Sequence, residues 1–201
     1  REKRGVEIIK ELTGKNAKVV CDPTMLLKKE EWDALIPNKR IVEGKYIFCY
    51  FLGSNIEHRK AAEKLAKEKK MKIVSVPFLN NYVEYDKKFA DELVFDIDSY
   101  DFVNLIRNAE YVLTDSFHGT VFSTINQKKF IVFNRFDNNS KDSRNSRIDS
   151  LCEILNLSNR RYNGDILSCI DENIDYKKVN ELLKKFRDES QKYLEDALKK
   201  I

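Results

Sequence analysis

The sequence predicts an α/β fold, a doubly wound parallel sheet with helices on both faces. Three observations carry this. Short apolar runs of strand type alternate with helical apolar periods from about residue 45 to residue 160. The run from Tyr46 to Leu52 is continuously apolar, as a strand buried on both faces must be. Strands that alternate with helices imply parallel pairing and right-handed crossovers.

Taken in order, Val6, Ile8, Ile9 and Leu12 form one face of a short helix that Gly14 ends. Ala17 to Cys21 reads as a strand stopped by Asp22-Pro23, a pair that could also close a cleft. Residues 24 to 44 are mixed and polar, with Trp32 and Leu35 packing against a neighbour, and this stretch is the linker candidate. After the strand at Tyr46 to Leu52, Gly53-Ser54-Asn55 turns the chain into a helix over 56–69 with Ala61, Ala62, Leu65 and Ala66 inward. Lys72 to Val76 is the next strand, ended by Pro77, and Glu92 to Phe95 a short one. Asp98 or Ser99 caps a helix whose inner face is Phe102, Leu105, Ile106 and Ala109. Tyr111 to Thr114 and Phe130 to Phe133 are strands, with a helix between them at Thr120 to Asn126. A long polar loop and a helix near 147–156 follow. Tyr176 to Leu198 is a long amphipathic helix with Val179, Leu182, Leu183 and Phe186 on its apolar face.

Composition removes several classes of function. The 201 residues carry 37 Lys and Arg against 33 Asp and Glu, a net charge of +4, and lysine is interleaved with glutamate on helices. That is a solvated face with i,i+4 pairing rather than a nucleic-acid surface. Four cysteines without a C-x-x-C pair, together with only two histidines, argue against a zinc site and against a disulfide framework, and a reducing cytoplasm fits best. There is no apolar run of membrane-spanning length and no signal peptide. The chain opens on Arg1 rather than Met and reads as a piece whose beginning lies elsewhere.

In an open parallel sheet, ligands bind beyond the carboxyl ends of the strands. The loops to inspect are 52–57, 77–85, 96–99, 114–119 and 134–147. Two are chemically unusual. In Thr114-Asp115-Ser116-Phe117-His118-Gly119, Asp115 or Ser116 is placed to cap the next helix, whose first-turn amides attract an anion. Gly119 lets the backbone approach a ligand closely, and His118 stands at the same helix start with an acid–base side chain. The alternative is that Asp115 and Ser116 only cap and that His118 is a packed or exposed side chain. Loop 134–147 holds Arg135, Lys141, Arg144 and Arg147, whose charges suit carboxylates or phosphates, unless it is a solvated surface loop. Neither a phosphate-binding P-loop nor a dinucleotide fingerprint follows any strand. His58, in a lysine-rich helix, reads as surface, and Trp32 and Tyr50 as packing.

The run Asn108 to Ser123 resembles the most characteristic block of the polysaccharide pyruvyl transferase family. Arg1-Glu2-Lys3-Arg4-Gly5 is similar to the family's arginine–glutamate element, Val19 to Thr24 to its strand followed by Asp-Pro, and Ser146-Arg147-Ile148 to its late arginine element. The resemblance implies the C-terminal part of a GT-B-like two-domain transferase with Rossmann-like domains. Residues 1–27 would end the first domain, 28–44 link, 45–172 form the second domain, and 173–201 return toward the first. It also implies the reaction: transfer of the enolpyruvyl unit of phosphoenolpyruvate to two hydroxyls of a sugar, as a cyclic ketal with release of phosphate. By the same resemblance His118 is the general acid, while Arg1, Arg147, Arg144 and the backbone near Ser116, Phe117 and Gly119 grip the donor. Phosphoenolpyruvate serves as substrate, and no further cofactor or metal is implied. The partner is a sugar or lipid-linked saccharide of polysaccharide or cell-envelope biosynthesis, with peripheral contact to a membrane-borne acceptor and no nucleic acid. Competing readings are a GT-B glycosyltransferase using a nucleotide sugar and a non-catalytic saccharide-binding domain.

Overall fold

A computed structural model describes residues 2–78, 82–137 and 143–199. Helix α1 (Lys3–Thr13) ends where Gly14 takes the left-handed conformation, φ +68°, which lets its amide close on Lys10 O. A 3-10 turn at Pro23–Met25 and helix α2 (Lys29–Leu35) lead into strand β1 (Tyr46–Tyr50). Then come α3 (Ile56–Lys69), β2 (Lys72–Ser75), the single turn α4 (Asp86–Phe89), β3 (Glu92–Leu93) and α5 (Ser99–Asn108). Strand β4 (Tyr111–Thr114), α6 (Phe117–Ile125), β5 (Lys129–Val132), α7 (Ser146–Ile154), α8 (Ile166–Asp171) and α9 (Tyr176–Leu198) complete the chain.

The five strands form one sheet in the order β3-β2-β1-β4-β5, all parallel. The expected fold class, α/β with a parallel sheet flanked by helices, is therefore present. Strand alternation divides the core in two. Tyr46 and Phe48 point to one face with Val74, Val112, Phe130 and Val132, where α5, α6, α7 and α9 cover them. Ile47, Cys49 and Phe51 point to the other with Ile73, Leu113, Ile131 and Phe133, under α3 and α8. The chain leaves β1 toward β2 and later returns past it to β4, so a switch point lies between the carboxyl ends of β1 and β4.

Several local expectations change. Ala17 to Cys21 is not a strand: the segment pairs with none, and the Cys21 amide instead donates to Ser190 Oγ on α9 at 2.9 Å. Residues 28–44 contain α2 and make contacts with α5 and α6. Trp32 stacks edge-on against Phe122, while Asn104 and Arg107 donate to Pro37 O. The helix expected at Thr120 begins at Phe117, which puts His118 in its first turn. Among the described residues, no helix is long and apolar enough to cross a membrane.

His58 corrects the reading of α3 as a solvated helix. It is 5% exposed, with its ring between Phe51 and Phe133 at centroid distances of 5.8 and 4.6 Å. Its neighbour Arg59 is buried as well, paired with Asp86 at 2.5 and 3.1 Å and donating to Gly53 O at 2.8 Å. Both lie on the face that carries Ala62 and Leu65; the lysines that dominate the composition lie on the opposite face.

Burial lowers the His58 pKa from 6.5 to about 4, with Arg59 adding to the effect. The unfolded chain therefore binds a proton that the folded chain refuses. The contribution of neutral His58 is intact above pH 6.5, and it is lost as the pH falls from there toward 4, by on the order of 3 kcal/mol. Urea unfolding at a series of pH values should show wild type losing stability over this range and His58→Phe losing distinctly less. Equal losses in the two proteins would remove His58 as the cause.

Candidate functional site

The site starts from how β4 ends. Thr114 Oγ1 donates to Tyr50 O at 2.7 Å and accepts from the Ser116 amide at 3.0 Å, which ties the ends of β1 and β4 together. Asp115, buried at the switch point, accepts from the Leu52 amide at 2.7 Å and the Gly53 amide at 2.9 Å. Burial raises the pKa of this carboxyl, opposed by the two amides and by Arg135 and Arg59. Ser116 is the N-cap of α6, its hydroxyl accepting from Gly119 N at 3.3 Å.

Gly119 has a different reason from the one expected. A Cβ there would lie 2.4 Å from Thr114 Oγ1 and 3.0 Å from Thr114 Cγ2, and Thr114 is held on both sides. The glycine allows the helix to sit against the end of β4, and its amide is already taken by the cap. It makes room for Thr114. Ser116 is likewise committed through both its amide and its hydroxyl.

With that frame fixed, His118 projects from the first turn of α6 with its side chain 49% exposed. Its Nε2 lies 3.7 Å from Oδ1 of Asp22, whose side chain is only 3% exposed. The Asp22 carboxylate also accepts from Thr24 N at 3.1 Å and Thr24 Oγ1 at 2.7 Å. Beside His118 opens a cleft of about 730 Å³, at the carboxyl ends of β1 and β2 and the amino ends of α5 and α6. Trp32, Tyr50, Phe102 and Phe122 give it an aromatic wall, with Thr24, Asp98, Ser99 and Ser116 as polar points, and its lining among the described residues includes no lysine or arginine.

The cations lie elsewhere. Arg147, in the first turn of α7, has its guanidinium 5.8 Å from the ring centroid of Phe117, the residue before His118. The start of α1 reaches the same place: Glu2 accepts from Ser146 Oγ, and Lys3 N donates to Ser150 Oγ at 3.2 Å. Arg144 is exposed and comes to no part of the cleft. Arg135 lies over Gly53 and stacks between Phe78 and Phe136. Arg1 and Lys141, also expected at the site, fall outside the described residues. Asp22 is the residue whose role local sequence could not supply. Its Asp-Pro-Thr signature marks a turn, and nothing in it names a partner so far along the chain.

A model of the polysaccharide pyruvyl transferase family matches residues 1–138. The chain belongs to the polysaccharide pyruvyl transferase family. The match takes in Asp22, the whole β1–β5 sheet and His118. No curated protein matches the sequence. A solved structure described as the glycotransferase of kitacinnamycin is similar over 77% of this chain and 44% of its own, with 8% identity and a TM-score of 0.46. The chain thus spans less than half the length of that protein.

The close packing at Gly119 has a measurable consequence. Gly119→Ala should destabilise the fold by about 1–3 kcal/mol, because the methyl group must displace a Thr114 that is bonded to two backbone groups. A thermal melt indistinguishable from wild type would show that Thr114 yields freely.

Proposed function

We propose that the chain carries the donor half of a pyruvyl transferase that moves the enolpyruvyl unit of phosphoenolpyruvate to a saccharide as a cyclic ketal. The observation that carries the reading is His118, half exposed on the first turn of α6, with a buried carboxylate on one side and an arginine-bearing flank on the other. The reaction needs an acid at one carbon and a grip on a small, highly charged donor.

The chemistry balances as follows. His118 gives a proton to the methylene carbon, which becomes a methyl group and leaves an oxocarbenium-like centre at the carbon bearing phosphate. One sugar hydroxyl attacks that carbon and its proton returns to His118. The carbon–oxygen bond to phosphate then breaks, the second hydroxyl closes the ketal, and its proton leaves with the phosphate. Arg147 and the N-terminal end of α6 offer positive charge for the donor. The aromatic cleft, with Asp98 and no described cation, would repel phosphoenolpyruvate and suits the apolar face of a pyranose.

The architecture that goes with this reading is GT-B-like, with residues 45–172 as one Rossmann-like domain and a second domain closing the cleft. The partner is a sugar or lipid-linked saccharide, the compartment the cytoplasm, and no cofactor beyond the donor is required. The nucleotide-sugar alternative is disfavoured by Asp115. The two amides that a diphosphate would seek at the switch point are already bonded to a carboxylate, which would repel it.

The test is phosphate released from phosphoenolpyruvate in the presence of saccharide acceptors. His118→Ala should lower kcat by about 100-fold or more while leaving the affinity for phosphoenolpyruvate within a few-fold. Turnover at the normal rate in that variant would remove His118 as the acid, and release of nucleotide from a sugar nucleotide would favour the alternative.

A further inference from the structure

We infer that Asp22 is the positioning residue of His118: its carboxylate holds the Nε2 edge of the imidazole and leaves the Nδ1 edge to do the proton transfer. The inference rests on the pyruvyl-transfer reading for its chemistry and on geometry for the pairing itself. Oδ1 of Asp22 stands 3.7 Å from Nε2, an ion-pair distance, and the carboxylate is almost wholly buried while the imidazole is half exposed.

The carboxylate is built into place from three sides. Thr24 donates to it through both amide and hydroxyl, and Trp32 Nε1 in turn donates to Thr24 O at 3.0 Å. Before it, the Cys21 amide is bonded to Ser190 Oγ on α9. After it, Arg187 of the same helix donates to Met25 O at 2.7 Å and Leu27 O at 3.3 Å, with its side chain buried. The C-terminal helix thus straps the Asp22 segment against the first turn of α6.

A turn-capping aspartate needs only an acceptor oxygen, which asparagine would supply equally well. A negative charge beside an imidazole does something further. It turns the Nε2 proton toward Asp22 and leaves Nδ1 to carry the proton that is transferred. When the Nδ1 proton passes to the methylene carbon, the ring becomes neutral and keeps its Nε2 proton against Asp22. Its Nδ1 lone pair is then free to take the proton of the attacking hydroxyl. Asp22 stays ionised throughout and exchanges no proton with substrate.

The experiment is a double-mutant cycle with Asp22→Asn, His118→Gln and the double variant, joined to NMR of the ring nitrogens. Asp22→Asn keeps the acceptor that Thr24 uses, so the fold should survive. In the His118 background kcat should fall by about 10- to 100-fold with the KM for phosphoenolpyruvate within about twofold, and in the His118→Gln background the same change should cost nothing more. The chain has only two histidines, so His118→Gln identifies the signals. Asp22→Asn should move those of His118 and leave those of His58, on the far face of the sheet, in place. An equal loss with and without His118, or unmoved His118 signals, would overturn the inference. If the wild-type two-domain protein releases no phosphate, the functional reading fails, and the NMR signals still decide the pairing.

Discussion

Two backbone amides bonded to one buried carboxylate hold the centre of this molecule. Asp115 reaches from the end of β4 to Leu52 and Gly53 just beyond β1, across the switch point where the two halves of the sheet diverge. Burying a charge opposes this, and the upward shift of its pKa is the sign of that cost. Two charge-assisted hydrogen bonds, each worth about 1.5–3 kcal/mol, offset it, and the amides would otherwise be left without a partner in a half-buried turn. Gly53 is part of the same fit, since a Cβ there would stand 2.9 Å from Asp115 Oδ2. Thr114 repeats the device one residue earlier, bonding Tyr50 O and the Ser116 amide. Everything chemically useful hangs from this junction. With Thr114 and Asp115 fixed, the Ser116 cap and the first turn of α6 have one place to go, and His118 has one direction to face.

The junction also sorts charge. Filling the central amides with a protein carboxylate withdraws the usual anion seat of such sheets and leaves the flanks to differ. On the Tyr50 side, four aromatic rings meet an acidic α5 start; on the Phe117 side, Arg147 and the start of α1 converge. His118 stands between the aromatic cleft and the Phe117 flank on which Arg147 lies.

The fold was legible where burial on both sheet faces forces a simple pattern. Tyr46 to Cys49 and Phe130 to Phe133 are apolar without interruption because no side of those stretches meets water. The same logic misread Ala17 to Cys21, an apolar run of the right length with no strand to pair with; what holds it is a serine on α9. Composition misled at α3 too. Its lysines describe the solvated face, and the two polar residues that matter, His58 and Arg59, lie on the other. Arg59 is buried with Asp86 paired to it from α4, 27 residues on, a contact that no local window contains. At the site, His118 and its helix start could be read from a cap, a glycine and a strand end. At Gly119 the sequence shows that space is needed and not that Thr114 fills it. Asp22 could be marked as a turn able to close a cleft, but its approach to His118 depends on how the chain returns.

That return is the work of α9. A helix of 23 residues is long for a sheet of four- and five-residue strands, and only part of its length covers the core, through Val179 and Leu183. Farther along, Arg187 and Ser190 turn inward and spend their hydrogen bonds on backbone groups of residues 21–27 rather than on the sheet. An irregular segment with buried peptide groups needs such partners, because it has no ladder of its own to satisfy them. The C-terminal helix therefore supplies to residues 21–27 what β-pairing supplies to the strands, and the geometry around His118 depends on both ends of the chain at once.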